Sequence, residues 1–170
     1  MADFRVRRAI AGDAAAVTAI YAHHVAHGTA TFDTVAPPEE FWREKIAAHQ
    51  QQGWPFLVIE RNGEVAGYAY ASRFRDRAAY AHTCENSIYI SEGLTGQGLG
   101  HALLGELIGA ARQAGFEQMI AVIGGGEPAS VALHRKLGFD EAGRMRHVGR
   151  KFGRLLDTVY MQRDLRQRSG

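Results

Sequence analysis

Apolar positions in this chain switch between a period of two and a period of three to four, and the switches mark out strands and helices. Phe4 to Ile10 sets Phe4, Val6 and Arg8 against Arg5, Arg7 and Ala9, which predicts a first strand. Gly12-Asp13 supplies a turn and an N-cap. Val17, Ile20, Tyr21, His24 and Val25 then recur at helical steps as far as His27, and Gly28 ends that helix. Pro37-Pro38-Glu39-Glu40 opens a second helix with the stripe Trp42, Ile46 and His49. After Gly53-Trp54-Pro55, two strands, Phe56–Glu60 and Glu64–Ala71, flank the hairpin signal Asn62-Gly63. Ser72–Thr83 reads as a polar connector. Farther on, Gln118–Ile123 predicts a buried strand, Gly124-Gly125-Gly126 a break, and Pro128 a helix start that Gly138 stops. Phe139–Val148 and Leu155–Arg163 close the chain around Gly149-Arg150-Lys151-Phe152-Gly153, and a polar tail begins at about residue 164.

The stretch from Glu85 to Ala111 organises the rest. Ser87, Ile88, Tyr89 and Ile90 are β-formers that run into Gly93, Gly96, Gly98 and Gly100, after which Leu103, Leu104, Leu107 and Ile108 follow at helical spacing. A strand that enters a helix through glycine leaves the first helical N–H groups free, which makes a nest for an anion. Two well-known phosphate motifs do not fit. A Walker A loop starting at Gly93 needs Lys where Leu99 stands, and a dinucleotide fingerprint needs glycine at His101 or Leu103. The hairpin upstream also argues against a dinucleotide domain and predicts a mixed sheet.

Length and composition narrow the class. A chain of 170 residues with 46% hydrophobic content fits one domain, residues 1–170, with a sizeable core. The net charge of +2 is scattered among 18 acids, which gives little support for nucleic acid as a partner. A single cysteine, Cys84, cannot form an internal disulfide and suits a reducing compartment. The N-terminus has no uninterrupted apolar run and no segment is long enough to span a bilayer, so the expected protein is soluble and cytoplasmic, without membrane partners. His23 and His27 are four apart but no third ligand follows at recognisable spacing, so a metal is not expected.

Thr95-Gly96-Gln97-Gly98-Leu99-Gly100 resembles the pyrophosphate loop of the GCN5-related N-acetyltransferases, written as Arg or Gln, two residues, then Gly-x-Gly or Gly-x-Ala. Thr95 departs from it at the first position. Glu85-Asn86-Ser87-Ile88-Tyr89-Ile90, Ala129 to His134, Leu137-Gly138-Phe139, the TATF run at Thr29–Phe32, Arg77-x-x-Tyr80 and Lys151–Asp157 sit at the spacing of the phosphinothricin and methionine sulfoximine branch. The match covers nearly the whole chain. It implies an α/β (α+β) GNAT fold: a mixed, mostly antiparallel central sheet flanked by about four helices.

The resemblance also implies roles. Acetyl-CoA would be the cosubstrate, with Gly96, Gln97, Gly98, Leu99, Gly100 and His101 around its pyrophosphate and the backbone of Ile88, Tyr89 and Ile90 along its pantetheine. Glu127 stands where a cofactor-binding Asn is common. Glu85, at the start of a strand poor in charge, would be the base for the acceptor ammonium; its ordinary alternative is an exposed charge or a partner to an arginine such as Arg77. His134 falls where the family places an acid for the departing thiolate, and its alternative is a plain helical histidine. Phe32, Arg75, Arg77 and Ser87 would shape the acceptor pocket, the arginines by forked bonds to an acidic group; their alternatives are a core aromatic and a solvated basic connector. A homodimer is expected from the same likeness.

The function these residues favour is direct acetyl transfer to the α-amine of a small amino acid or analogue, within a ternary complex. Cys84 is a weaker candidate for a covalent route, with only His82 nearby to lower its pKa. A broader amine acetyltransferase acting on peptides or polyamines, and a non-catalytic acyl-CoA-binding module, remain as alternatives. The basic Arg144–Arg154 segment has few aromatics for stacking on bases.

Overall fold

The computed structural model describes residues 3–166. Its strands are β1 (Phe4–Arg8), β2 (Phe56–Arg61), β3 (Glu64–Arg73), β4 (Thr83–Ile90), β5 (Gln118–Gly124), β6 (Asp140–Lys151) and β7 (Arg154–Asp164). Its helices are α1 (Ala14–His27), α2 (Glu39–Gln52), α3 (Leu99–Gln113) and α4 (Pro128–Lys136). One seven-stranded sheet runs in the order β1-β2-β3-β4-β5-β7-β6, and β4 with β5 is its one parallel pair.

The sheet has a core on each face. Leu103, Leu104 and Leu107 of α3 pack with Ala69, Cys84, Met119 and Met161 on one side. On the other, Val17 and Ile20 of α1 and Trp42 and Ile46 of α2 cover Phe56, Val58 and Tyr68. Strand alternation sorts β4 between them. Cys84, Asn86, Ile88 and Ile90 face α3, whereas Glu85, Ser87 and Tyr89 lie opposite Ser72, Tyr70 and Tyr68 on the α1–α2 side.

Several sequence expectations are corrected. Asp13 does not cap α1 with its side chain. It accepts the Ile10 N–H at 2.8 Å and two bonds from Arg7, which also reaches Glu60, tying the first helix to β1 and β2. The first strand stops at Arg8. The glycine stretch after Val148 is no loop: β6 continues through Lys151 with a bulge between Met145 and Gly149, and the turn is only Phe152-Gly153. Both turn residues have positive φ, at 51° and 70°, as Asn62 and Gly63 do in the other hairpin. The tail begins later than expected, since Asp164 belongs to β7 and Leu165 is buried; residues 167–170 lie outside the described residues.

Burial alone would raise the Asp13 pKa, but the Arg7 bonds and the Ile10 N–H outweigh it and hold the carboxyl below its usual range. The stabilisation is therefore present above the unfolded value of about 3.9 and is lost as pH falls through the lower folded value. Asp13→Ala should reduce the unfolding free energy at pH 7 by about 2 kcal/mol in a denaturant titration. The gap from the unsubstituted protein should narrow at pH 3; a gap independent of pH would exclude the ionised contact as its source.

Candidate active site

Strands β4 and β5 pair from Thr83 opposite Gln118 to Asn86 opposite Ala121, and then part. Beyond that point β4 stays with β3 as far as Ile90, while β5 stays with β7 through Gly124. The parting opens a cavity of about 250 Å³ lined by Glu85–Tyr89, Ala121–Gly124, Ala30–Phe32, Ser130, His134 and Thr158.

Main-chain parity decides what β4 offers to that gap. The Ser91 N–H donates to Ala66 O and the Phe74 N–H to Thr83 O, so odd-numbered residues of β4 exchange their bonds with β3. The even-numbered residues turn toward β5, as the His82 carbonyl does in accepting from Glu117. Ile88 and Ile90 therefore present main-chain groups to the opening. Tyr89, included with them from sequence, commits its own to β3. The Ile90 carbonyl also accepts from His24 Nε2 at 2.8 Å.

At the far end of β4 the chain turns through Gly93, Gly96 and Gly98, with φ of 76°, 73° and 85°, and Gly98 is the N-cap of α3. A side chain at these positions would strain the turn. α3 starts at Leu99, whose side chain is in the core, so the free N–H groups at its start belong to Gly98, Leu99, Gly100 and His101. Gln97 braces this loop: its Nε2 donates to Gly93 O at 3.1 Å and its Oε1 accepts from Arg61. Glu127 is the N-cap of α4 and makes no side-chain cap bond.

Glu85 and His134 lie on opposite faces of the sheet. Burial raises the Glu85 pKa, opposed first by Arg75 and then by Lys45. Arg77 does not reach it, and among the described residues Glu85 has no ion pair. Arg75 lies 4.2 Å from the Phe74 ring centroid. His134 is 2% exposed, with Nδ1 2.7 Å from Ser130 O and Nε2 3.2 Å from Asn86 Oδ1. Burial lowers its pKa, against the Ser130 carbonyl, so the neutral ring donates from Nδ1 and accepts at Nε2. The neutral ring is matched when the Asn86 amide turns its N–H toward Nε2, which also gives a partner to Nδ2, otherwise buried without one. An imidazolium is matched in the other orientation. Cys84 is fully buried on the α3 face with its thiol pushed up to about 12, chiefly by burial, and cannot act as a nucleophile.

One wall of the cavity is the segment after α1. Phe32 lies between two glycines: a Cβ at Gly149 would sit 2.4 Å from its ring and one at Gly124 3.1 Å away. Lys151, 4% exposed, donates to Thr31 O at 2.9 Å, and Tyr21 OH bonds both Thr31 and Asp33. Sequence reading missed Asn86, Lys45, Gly149 and Lys151, because only strand register, the docking of α2 and the fold-back of the β6–β7 hairpin bring them here. His23 pairs with Glu92 at 3.4 Å, and among the described residues no group of three or more ligating side chains is placed for a metal ion.

The family model for the acetyltransferase (GNAT) family matches residues 18–139. This chain belongs to that family. It is 47% identical over 154 residues to a phosphinothricin N-acetyltransferase of Alcaligenes faecalis, covering 90% of this chain and 78% of that one. It is 40% identical to an L-methionine sulfoximine/L-methionine sulfone acetyltransferase of Salmonella typhimurium, covering 94% of each. Among solved structures, a phosphinothricin acetyltransferase from Sinorhizobium meliloti in complex with acetyl-CoA superposes with a TM-score of 0.92 at 45% identity, over 95% of this chain and 88% of that one. A Salmonella typhimurium acetyltransferase with acetyl-CoA gives 0.93 at 38% identity, over 98% and 96%. The unpaired edge at Ile88 and Ile90 and the N–H nest at Gly98–His101 suit the amides and pyrophosphate of that ligand.

The His134 arrangement predicts an NMR result. In imidazole-15N-labelled protein, this ring should be neutral at pH 7 with its proton on Nδ1, and should titrate below the ordinary histidine value of about 6.5. A ring protonated on Nε2 at pH 7 would contradict the bond to Ser130.

Proposed function

We propose that the protein transfers the acetyl group of acetyl-CoA to the α-amine of a small amino acid of the phosphinothricin or methionine sulfoximine type. The observation that carries this reading is the opening between β4 and β5, flanked by Glu85 on the α1–α2 face and His134 on the α3–α4 face. When bound, acetyl-CoA supplies the acetyl group as an activated thioester. The Gly98–His101 N–H groups hold its pyrophosphate and Ile88 and Ile90 align its pantetheine, with the Ile88 N–H directed at the thioester carbonyl. Gly96 and Gln97 shape that loop, and Glu127, the N-cap of α4, contributes a separate contact to the cofactor.

Glu85 takes a proton from the acceptor ammonium, leaving the neutral amine as nucleophile. Its raised pKa suits it to accept that proton. His134, neutral at rest, takes the proton that the attacking nitrogen sheds as the amide forms and passes it to the departing thiolate, its transient charge matched by Asn86 Oδ1. Arg75 binds the acceptor's acidic group through its fork, with Arg77 and Ser87 at the pocket margin and Phe32 as its wall. The whole chain acts as one catalytic domain in the cytoplasm. Two copies join through the β6–β7 edge, where Met145, Val148, Phe152 and Leu155 are exposed.

The test is thiol release from acetyl-CoA with methionine sulfoximine, phosphinothricin, a lysine peptide and spermidine. Saturable turnover should appear with the first two only; release with the peptide or the polyamine alone would refute the acceptor assignment. Glu85→Gln should lower kcat by about 10²- to 10⁴-fold with acetyl-CoA binding retained. In the unsubstituted enzyme kcat/KM should fall as pH drops through a value above the usual glutamate range, because protonated Glu85 cannot accept the proton. Sedimentation at micromolar concentration should give a dimer, and Phe152→Glu with Leu155→Glu should shift it to monomer.

A further inference from the structure

We infer that Lys45 is a specificity-determining residue that favours acceptors carrying an anionic side chain over neutral ones; the inference rests on the amino-acid reading above. On α2, Arg43 is tied to Glu39 and Glu40, at 2.6 Å each, along the outer face. Lys45 takes the inner edge of the helix. The residue four positions before it is Phe41, so the ammonium has no i,i−4 carboxylate and lies instead over aromatic faces, 4.5 Å from the centroid of Tyr70, 5.5 Å from Phe41 and 6.0 Å from Trp42. Among the described residues it has no ion pair.

Tyr70 fixes where this charge sits. It lies directly opposite Ser87, and its neighbour on the same face, Ser72, lies opposite Glu85. The ammonium thus stands over the sheet face from which the acceptor must approach Glu85, and its charge acts on that carboxylate together with Arg75. Two cations from separate elements flank one base. Arg75, on the connector, is exposed and forked, suited to an α-carboxylate. Lys45 is half-buried and a point charge, desolvated in part by three rings, so a second anion meets less competition from water there. An amino acid whose amine is at Glu85 and whose carboxylate is at Arg75 directs its side chain elsewhere in the pocket. A phosphinate or carboxylate at that side chain's end has Lys45 to meet. A sulfoximine, being uncharged, gains nothing from it.

Phosphinothricin and methionine sulfoximine differ in this charge, and so make the test pair, with steady-state kinetics on the purified enzyme and its Lys45→Met and Lys45→Arg variants. Lys45→Met keeps the stem that covers the rings. It should lower kcat/KM for phosphinothricin by about tenfold or more, mostly through KM, while methionine sulfoximine changes by less than about twofold. Lys45→Arg should recover most of the loss, and KM for acetyl-CoA should not move. Equal losses for both acceptors, measured on the plateau above the acid limb of the pH profile, would mean that Lys45 acts on Glu85 alone and would overturn the assignment. Unchanged kinetics with phosphinothricin would overturn it too. Unsubstituted enzyme inactive with both acceptors would instead remove the amino-acid reading beneath it, a failure visible before any variant is made.

Discussion

A strand that loses its neighbour inside a protein leaves amide groups that must find another partner or be exposed to water, and β4 of this chain does so by construction. Pairing with β5 stops at Asn86, yet both strands continue, each held by its other neighbour. Ile88 and Ile90 are half-exposed, so the main-chain groups beside the opening are left to solvent instead of a strand. What props it apart is local: the Thr29–Phe32 segment leans on Gly124 and Gly125 at the end of β5, and His24 takes the Ile90 carbonyl. A ligand with amides of its own removes the deficit, and the site's affinity for such a ligand follows from an incomplete sheet.

Alternation along β4 then divides labour without further machinery. Adjacent residues point to opposite faces, so Glu85 and Asn86 meet different surroundings although they are consecutive. One faces the layer beneath α1 and α2. The other holds His134 in the layer beneath α4. Glu85 and His134 are thereby kept on opposite faces of the sheet, each in surroundings of its own. The same parity removes Cys84 from the chemistry, since it faces the α3 core.

How far the sequence foretold this depends on the range of each interaction. Elements governed by local chemistry were legible: the Asn62-Gly63 turn, the Gly28 stop, the Trp42, Ile46 and His49 stripe, and the glycine loop before α3. Glu85 and His134 were singled out through a family pattern, and both line the opening. What the sequence did not disclose depends on register. Whether Tyr89 or its neighbours face the opening depends on how β3 pairs, and Lys45 lies about forty positions from Glu85 on a helix whose docking no local pattern records. Gly149 read as part of a loop because its neighbours include Gly153 and an arginine; in fact it is a strand residue beside Phe32.

The wedge formed by Phe32 between Gly124 and Gly149 constrains the order in which this pocket can change over generations. A methyl group at 149 overlaps the ring, and one at 124 also meets the Thr29 and Ala30 carbonyls, so neither glycine is free to vary while the phenyl remains. A smaller residue at 32 releases position 149 first, and only later substitutions there can fill the vacated space from the opposite wall. The effect of a change at one of these sites is thus contingent on which residue the lineage already carries at another. Change in such a cavity follows an ordered path, with position 32 as its first step.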